Sequence, residues 1–139
     1  MVILDTNVIS ALMHQRPPAS VRQWLDRQAE LSVWTTSITV FEIRAGIEVL
    51  PQSRRRRSLE IEFRRLVADD IQGRVVLFDV SGAEAASLLM AERRHAGRIG
   101  DLRDTMIAGI VIASHATLAT RNIRHFADLS VPLVDPWNA

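Results

Sequence analysis

The sequence predicts an α/β protein, a three-layer α/β/α sandwich on a short central parallel sheet. Three observations carry that prediction. Short apolar runs such as Val2-Ile3-Leu4 alternate with longer stretches of helical periodicity, and strands buried on both faces belong to parallel sheets whose crossovers are helices. The segment Thr105 to Ala116 is apolar on nearly all sides, as a central, buried helix is. The length of 139 residues, with 47% apolar and 24% charged side chains, suits one compact domain over 1–139.

Each element has its own signal. Val2-Ile3-Leu4 runs into Asp5-Thr6-Asn7, a strand-to-helix corner. After Pro17-Pro18, Ser20 to Glu30 repeats apolar residues at Val21, Trp24, Leu25 and Ala29, and Ser32 to Thr35 reads as a second strand. Ser37 to Leu50 is helical. Beyond a break at Pro51, Arg54 to Ala68 lines up Leu59, Phe63, Leu66 and Val67 on one stripe with arginines on the other. The two form a helical hairpin at about 37–69, projecting from the sheet. Val75 to Phe78 is the third strand, Ala83 to Ala96 a helix, and Leu118-Ala119-Thr120 and Val131 to Val134 the last strands.

Composition removes several chemistries. There is no cysteine and no lysine, so all 17 basic residues are arginine, against 16 acidic ones. Thiolate nucleophiles, cysteine-bound zinc, Schiff-base catalysis and the P-loop lysine are excluded. A phosphoaspartyl phosphatase or receiver domain fails for want of the lysine that holds the phosphate. No apolar run approaches the ~20 residues that span a bilayer, and the N-terminus lacks a signal-peptide pattern, so a cytoplasmic protein with no membrane partner is expected. The histidines at 14, 95, 115 and 125 show no metal-ligand spacing and read as structural. Trp24, Trp34 and Trp137 have apolar neighbours and read as core or interface residues.

Three carboxylates stand where carboxylates are costly. Asp5 directly follows an apolar strand, which puts it at the carboxyl edge of the sheet, where such sheets bind ligands; helix capping explains it equally well. Glu42 lies between Ile38 and Ala45 on an apolar helix face and needs a compensating cation, either an arginine or a metal. Asp104 opens the most apolar helix, with Asp101 as a rival for the cap. Taken together, the three belong to elements expected to converge on one edge. A hard divalent ion with oxygen ligands, Mg²⁺ or Mn²⁺, is the usual answer to such clustering.

Leu4-Asp5-Thr6-Asn7, Thr39 to Ile43 around Glu42, Asp104 followed by Met106-Ile107-Ala108, and Thr120-Arg121-Asn122 with His125-Phe126 together resemble the PIN domain, and within it toxins of the VapC and FitB type. The likeness runs from Met1 to Asp135-Pro136-Trp137. It implies a metal-dependent endoribonuclease acting on RNA and neutralised by a cognate, VapB-like, DNA-binding antitoxin, with a homodimer and a higher oligomer in the complex. Carried over by position, Asp5, Glu42 and Asp104 are the metal ligands and catalytic acids. Asn122 takes a fourth catalytic position at which some relatives have Asp, so one negative charge is missing. Thr6, Asn7 and Thr120 fall at supporting, substrate-side positions. The block Arg54, Arg55, Arg56 and Arg57 reads either as a solvated helix face or as phosphate contacts along an RNA strand. A PIN-like module that has lost catalysis and serves as an interaction or regulatory unit is the competing reading, against which the three retained acids count.

Overall fold

The computed structural model describes all of residues 1–139. Five strands, β1 (Val2–Leu4), β2 (Val33–Thr36), β3 (Val75–Val76), β4 (Thr117–Ala119) and β5 (Leu133–Val134), form one sheet in the order β3-β2-β1-β4-β5. Every pairing is parallel, with Ile3 opposite Trp34 on one side and Leu118 on the other. Six helices cover it: α1 (Thr6–Leu12), α2 (Ala19–Asp26), α3 (Ser37–Glu48), α4 (Arg54–Arg65), α5 (Val80–His95) and α6 (Leu102–Ser114). This is the three-layer arrangement expected from the alternation of short apolar strands and helices.

Strand alternation divides the core. Leu4 faces α1 to α4, packing with Val8, Ile9, Trp24, Ile43 and Phe63. Ile3 faces the other way, onto Leu89 of α5 and Ile107, Ile110 and Val111 of α6. On that second face α5 and α6 cross at Gly109, where a Cβ would sit 2.5 Å from the carbonyl oxygen of Gly82 and 2.6 Å from Cβ of Ala86. Only glycine admits so close an approach. No helix is long and apolar enough to cross a membrane.

Several boundaries differ from the sequence expectation, each for a local reason. The second strand starts at Val33, after Leu31 adopts a left-handed conformation, and α2 ends at Asp26. The third strand is cut to two residues because the Phe78 amide donates to Ser37 Oγ, leaving the ladder. Asp79 then caps α5 through the Gly82 amide, so that helix begins at Val80, not Ala83. Past Arg65, α4 widens into a π-helical turn over Leu66–Asp70. The last strand is only Leu133–Val134, since Pro132 has no amide to donate. Asp101, not Asp104, caps α6 by accepting from the Asp104 amide at 3.1 Å, which leaves the Asp104 carboxylate free in the first turn.

Candidate active site

In the order β3-β2-β1-β4-β5 the connections run outward in opposite directions from the β1/β4 boundary, and ligands of open parallel sheets bind at such a point. Asp5 leaves the end of β1 and Thr120 the end of β4, side by side at that boundary. The Asp5 side chain is 2% exposed. Its Oδ1 accepts from the Thr6 amide (2.8 Å), and its Oδ2 from the Thr120 hydroxyl (2.8 Å) and Asn7 Nδ2 (3.3 Å). Capping and site placement are thus the same geometry. Burial, aided by the charges of Asp104 and Glu42, pushes the Asp5 carboxyl up to about 6, even though the Thr120 and Thr6 hydrogen bonds favour its ionised form. An anion is being held here without enough positive charge.

Glu42 arrives from α3. The Thr36 hydroxyl accepts from the Thr39 amide at 3.0 Å and caps that helix. Thr39 Oγ1 lies 3.0 Å from Thr6 Oγ1, and the Thr6 hydroxyl donates to Glu42 Oε1 at 2.9 Å. A chain of hydroxyls therefore orients Glu42 from two elements at once. Its other oxygen lies 3.8 Å from Nε of Arg103, the arginine alternative for its counter-charge. Asp104, from α6, faces Nδ1 of His125 at 3.5 Å. Burial and the nearby Asp101 raise its pKa, while His125 pulls it down.

All three acids line one cavity of about 540 Å³, together with Thr6, Asn7, His14, Arg121, Asn122 and Trp137. Asn122 lines this cavity, and its backbone N–H donates to Thr120 Oγ1 at 3.0 Å. Asn7 ties the site to the β4 end, accepting from the Arg121 amide at 3.2 Å. The donors are hard oxygens of the kind Mg²⁺ and Mn²⁺ take, and Asp5 carries the uncompensated charge that a cation would relieve. The carboxylates are not drawn in to the spacing of a ready-made metal centre; Glu42 leans on Arg103 and Asp104 on His125.

The arginine block does not act as a unit. Arg54 and Arg55 line a groove with His14, Gln15 and Arg16, joined to the acidic cavity through His14. Arg56 is engaged within the fold: it donates to Glu60 (2.9 Å), Glu48 (3.0 Å) and the Leu50 carbonyl (2.9 Å). These bonds clasp α3 to α4 and occupy the donors that the phosphate-contact reading assigned to Arg56. Arg57 is exposed. Sequence reasoning missed His125, Arg103, Thr39 and the pair Arg121–Trp137, in which the guanidinium stacks 4.8 Å from the ring centroid. The spacing of Thr39 and Glu42, three apart on one helix face, is a signal that could have found Thr39; Arg121, His125 and Trp137 stand in stretches that carry the resemblance, which assigns them no role, and nothing local marks Arg103.

Fold and site together define a class: residues 2–131 match the PIN domain, and the chain belongs to that family. Among its relatives, plasmid stability protein StbB of Pseudomonas syringae pv. tomato is 36% identical over 139 residues, spanning all of both chains. VapC ribonuclease Y4jK of Sinorhizobium fredii is 31% identical over 137 residues, 99% of this chain and 98% of that one. Toxin FitB of Neisseria gonorrhoeae is 28% identical over 99% of each chain. The crystal structure of FitAcB from that organism superposes with a TM-score of 0.88 over 100% of both chains, at 28% identity.

Proposed function

We propose that this protein is the toxin of a toxin–antitoxin pair and works as a Mg²⁺- or Mn²⁺-dependent endoribonuclease in the cytoplasm. The observation that carries the reading is the convergence of Asp5, Glu42 and Asp104, from β1, α3 and α6, on one cavity at the switch point of a PIN-domain sheet. The names of the relatives, a VapC ribonuclease and a FitB toxin, support it.

Asp5 is the fixed ligand, held by Thr6, Asn7 and Thr120. Glu42 and Asp104 would be the other two ligands; Glu42 lies beside the Arg103 guanidinium and Asp104 beside the His125 ring. A divalent ion bound there supplies positive charge to the scissile phosphate and acidifies water for the attack. Asn122 offers a neutral oxygen at the same edge, which orients without adding charge. Arg103 and His125, beside Glu42 and Asp104, would supply N–H donors to phosphate oxygens at the same edge.

Free ribonuclease activity harms its own cell, so a partner that covers the acidic edge belongs to the same reading: a DNA-binding, VapB-like antitoxin, with the toxin dimeric and the complex a higher oligomer. The test is expression in a bacterial host. Induction of the parent is expected to arrest growth, co-expression of the neighbouring small protein to relieve it, and Asp5→Asn to abolish the arrest. Arrest as strong with Asp5→Asn as with the parent overturns the proposal.

A further inference from the structure

Next to the acidic cavity lies a second cavity of about 210 Å³, lined by Arg93, Arg98, Gly100, Asp101, Asp104, Arg124 and two neighbours. Asp104 is common to both cavities. We infer that this second cavity is a phosphate subsite, which takes the phosphate of a nucleotide flanking the scissile bond of a single-stranded RNA, with Arg98 and Arg124 as its ligands. The inference rests on the ribonuclease reading and names where the strand continues beyond it.

The arginines here divide into one that builds the wall and two that have donors to spare. Arg93 is 5% exposed and fully engaged: Nε and Nη2 hold Asp128 at 2.8 and 3.0 Å, Nη2 also reaches the His125 carbonyl at 3.0 Å, and Nη1 the Thr105 hydroxyl at 3.2 Å. Because Asp128 is already gripped by this fork, Arg98 meets it only at the edge, 3.4 Å away with half its side chain exposed. Arg124 is exposed and makes no ion pair or side-chain hydrogen bond. Facing them, the Asp101 carboxylate caps α6 through Oδ1. The Asp104 carboxylate is turned to His125.

Gly100 keeps the floor open. A Cβ there would lie 3.0 Å from Nη1 of Arg93 and 3.4 Å from the Thr105 hydroxyl. Two guanidinium groups with unused donors at one concave site suit a phosphate, whose oxygens accept paired N–H donors. Continuity with the acidic cavity through Asp104 makes a polynucleotide the matching ligand, since one strand can place successive phosphates in the two cavities.

The test measures binding of a single-stranded RNA oligonucleotide by fluorescence anisotropy across a KCl series. The full chain is used, with EDTA present so that the strand stays intact. The proteins are the parent, Arg98→Gln/Arg124→Gln, Arg124→Gln alone, and Arg27→Gln/Arg64→Gln, which removes the same charge from exposed positions elsewhere. Loss of one phosphate contact is expected to lower the log–log salt slope by about 0.7 and to weaken binding about fivefold at 0.1 M salt. The single variant moves in the same direction and protects the result if the double variant folds poorly, because Arg124 holds no fold contact. The control pair keeps the parental slope. A slope in the Arg98/Arg124 variants equal to the control's, or a parent that binds no RNA at any salt, overturns the inference. Unchanged RNA binding with lost affinity for the partner protein overturns it too, in favour of an acidic side chain from that partner. Failure of the ribonuclease reading appears separately, as absent cleavage by the parent in Mg²⁺.

Discussion

Asp5→Asn is expected to make the metal-free protein more stable at neutral pH, although it alters the best-connected residue of the site. The Asp5 carboxyl is raised from 3.8 to about 6 in the fold. Each pKa unit corresponds to about 1.4 kcal/mol, so holding this carboxylate ionised costs the native state on the order of 3 kcal/mol. Because the folded pKa lies above the unfolded one, the cost is absent below pH 4, accumulates as pH rises towards 6, and is complete above it. Asparagine removes that cost but supplies one oxygen where Asp5 uses two. With the oxygen on the Thr6 amide, its NH₂ meets the Asn7 amide and the Thr120 hydroxyl, a loss of about 1 kcal/mol. The net expectation is a gain of about 2 kcal/mol at pH 7.5, shrinking on acidification and reversing between about pH 4 and 5. Urea unfolding in EDTA at pH 7.5, 6, 5 and 4 measures it as a shift in midpoint at constant slope. A variant less stable than the parent at pH 7.5, or a difference that ignores pH, refutes the electrostatic account of the site.

Three further outcomes follow from the packing and the site. Gly109→Ala forces a Cβ into Gly82 and Ala86 at the α5–α6 crossing and is expected to cost about 2 kcal/mol, read as a lower melting temperature. Asp128→Asn takes the main charge partner from buried Arg93, for a loss of about 2 kcal/mol at pH 7. Since Arg93 holds the Asp128 carboxyl below its ordinary range, that loss shrinks as pH falls through this range, the opposite slope to Asp5, in the same urea series. Asn122→Asp is expected to raise Mn²⁺ affinity in calorimetry, and Asn122→Ala to slow cleavage less than Asp104→Ala; a drop in affinity for Asn122→Asp removes residue 122 from the site.

The parts of the site legible in the sequence are those whose signal is local. Asp5 follows three apolar residues that can only be a short buried strand, and Glu42 interrupts an apolar helix face, so each announces itself within a dozen residues. Asp104 was recognisable as a polar entry to an apolar helix, yet its freedom from capping depended on Asp101 winning the cap, a competition between neighbours with equal propensity. His125 and Arg103 were not legible. Their meaning comes from carboxylates 21 and 61 positions away, brought near by the sheet order and by no spacing along the chain. The arginine block is hard to read for the converse reason: four identical side chains on successive positions point around a helix, so Arg56 turns onto Glu48 and Glu60 while Arg54 and Arg55 face the groove.

The most direct test of the central claim is single-turnover cleavage of a single-stranded RNA by purified protein in Mg²⁺. Parent, Asp5→Asn, Glu42→Gln and Asp104→Asn are compared, each with and without EDTA. The account predicts cleavage by the parent that EDTA abolishes and Mg²⁺ restores, with each variant folded by circular dichroism and slower by at least two orders of magnitude, as expected when a ligand of a catalytic metal loses its charge. Cleavage that persists in EDTA, or that survives all three substitutions at the parental rate, contradicts it.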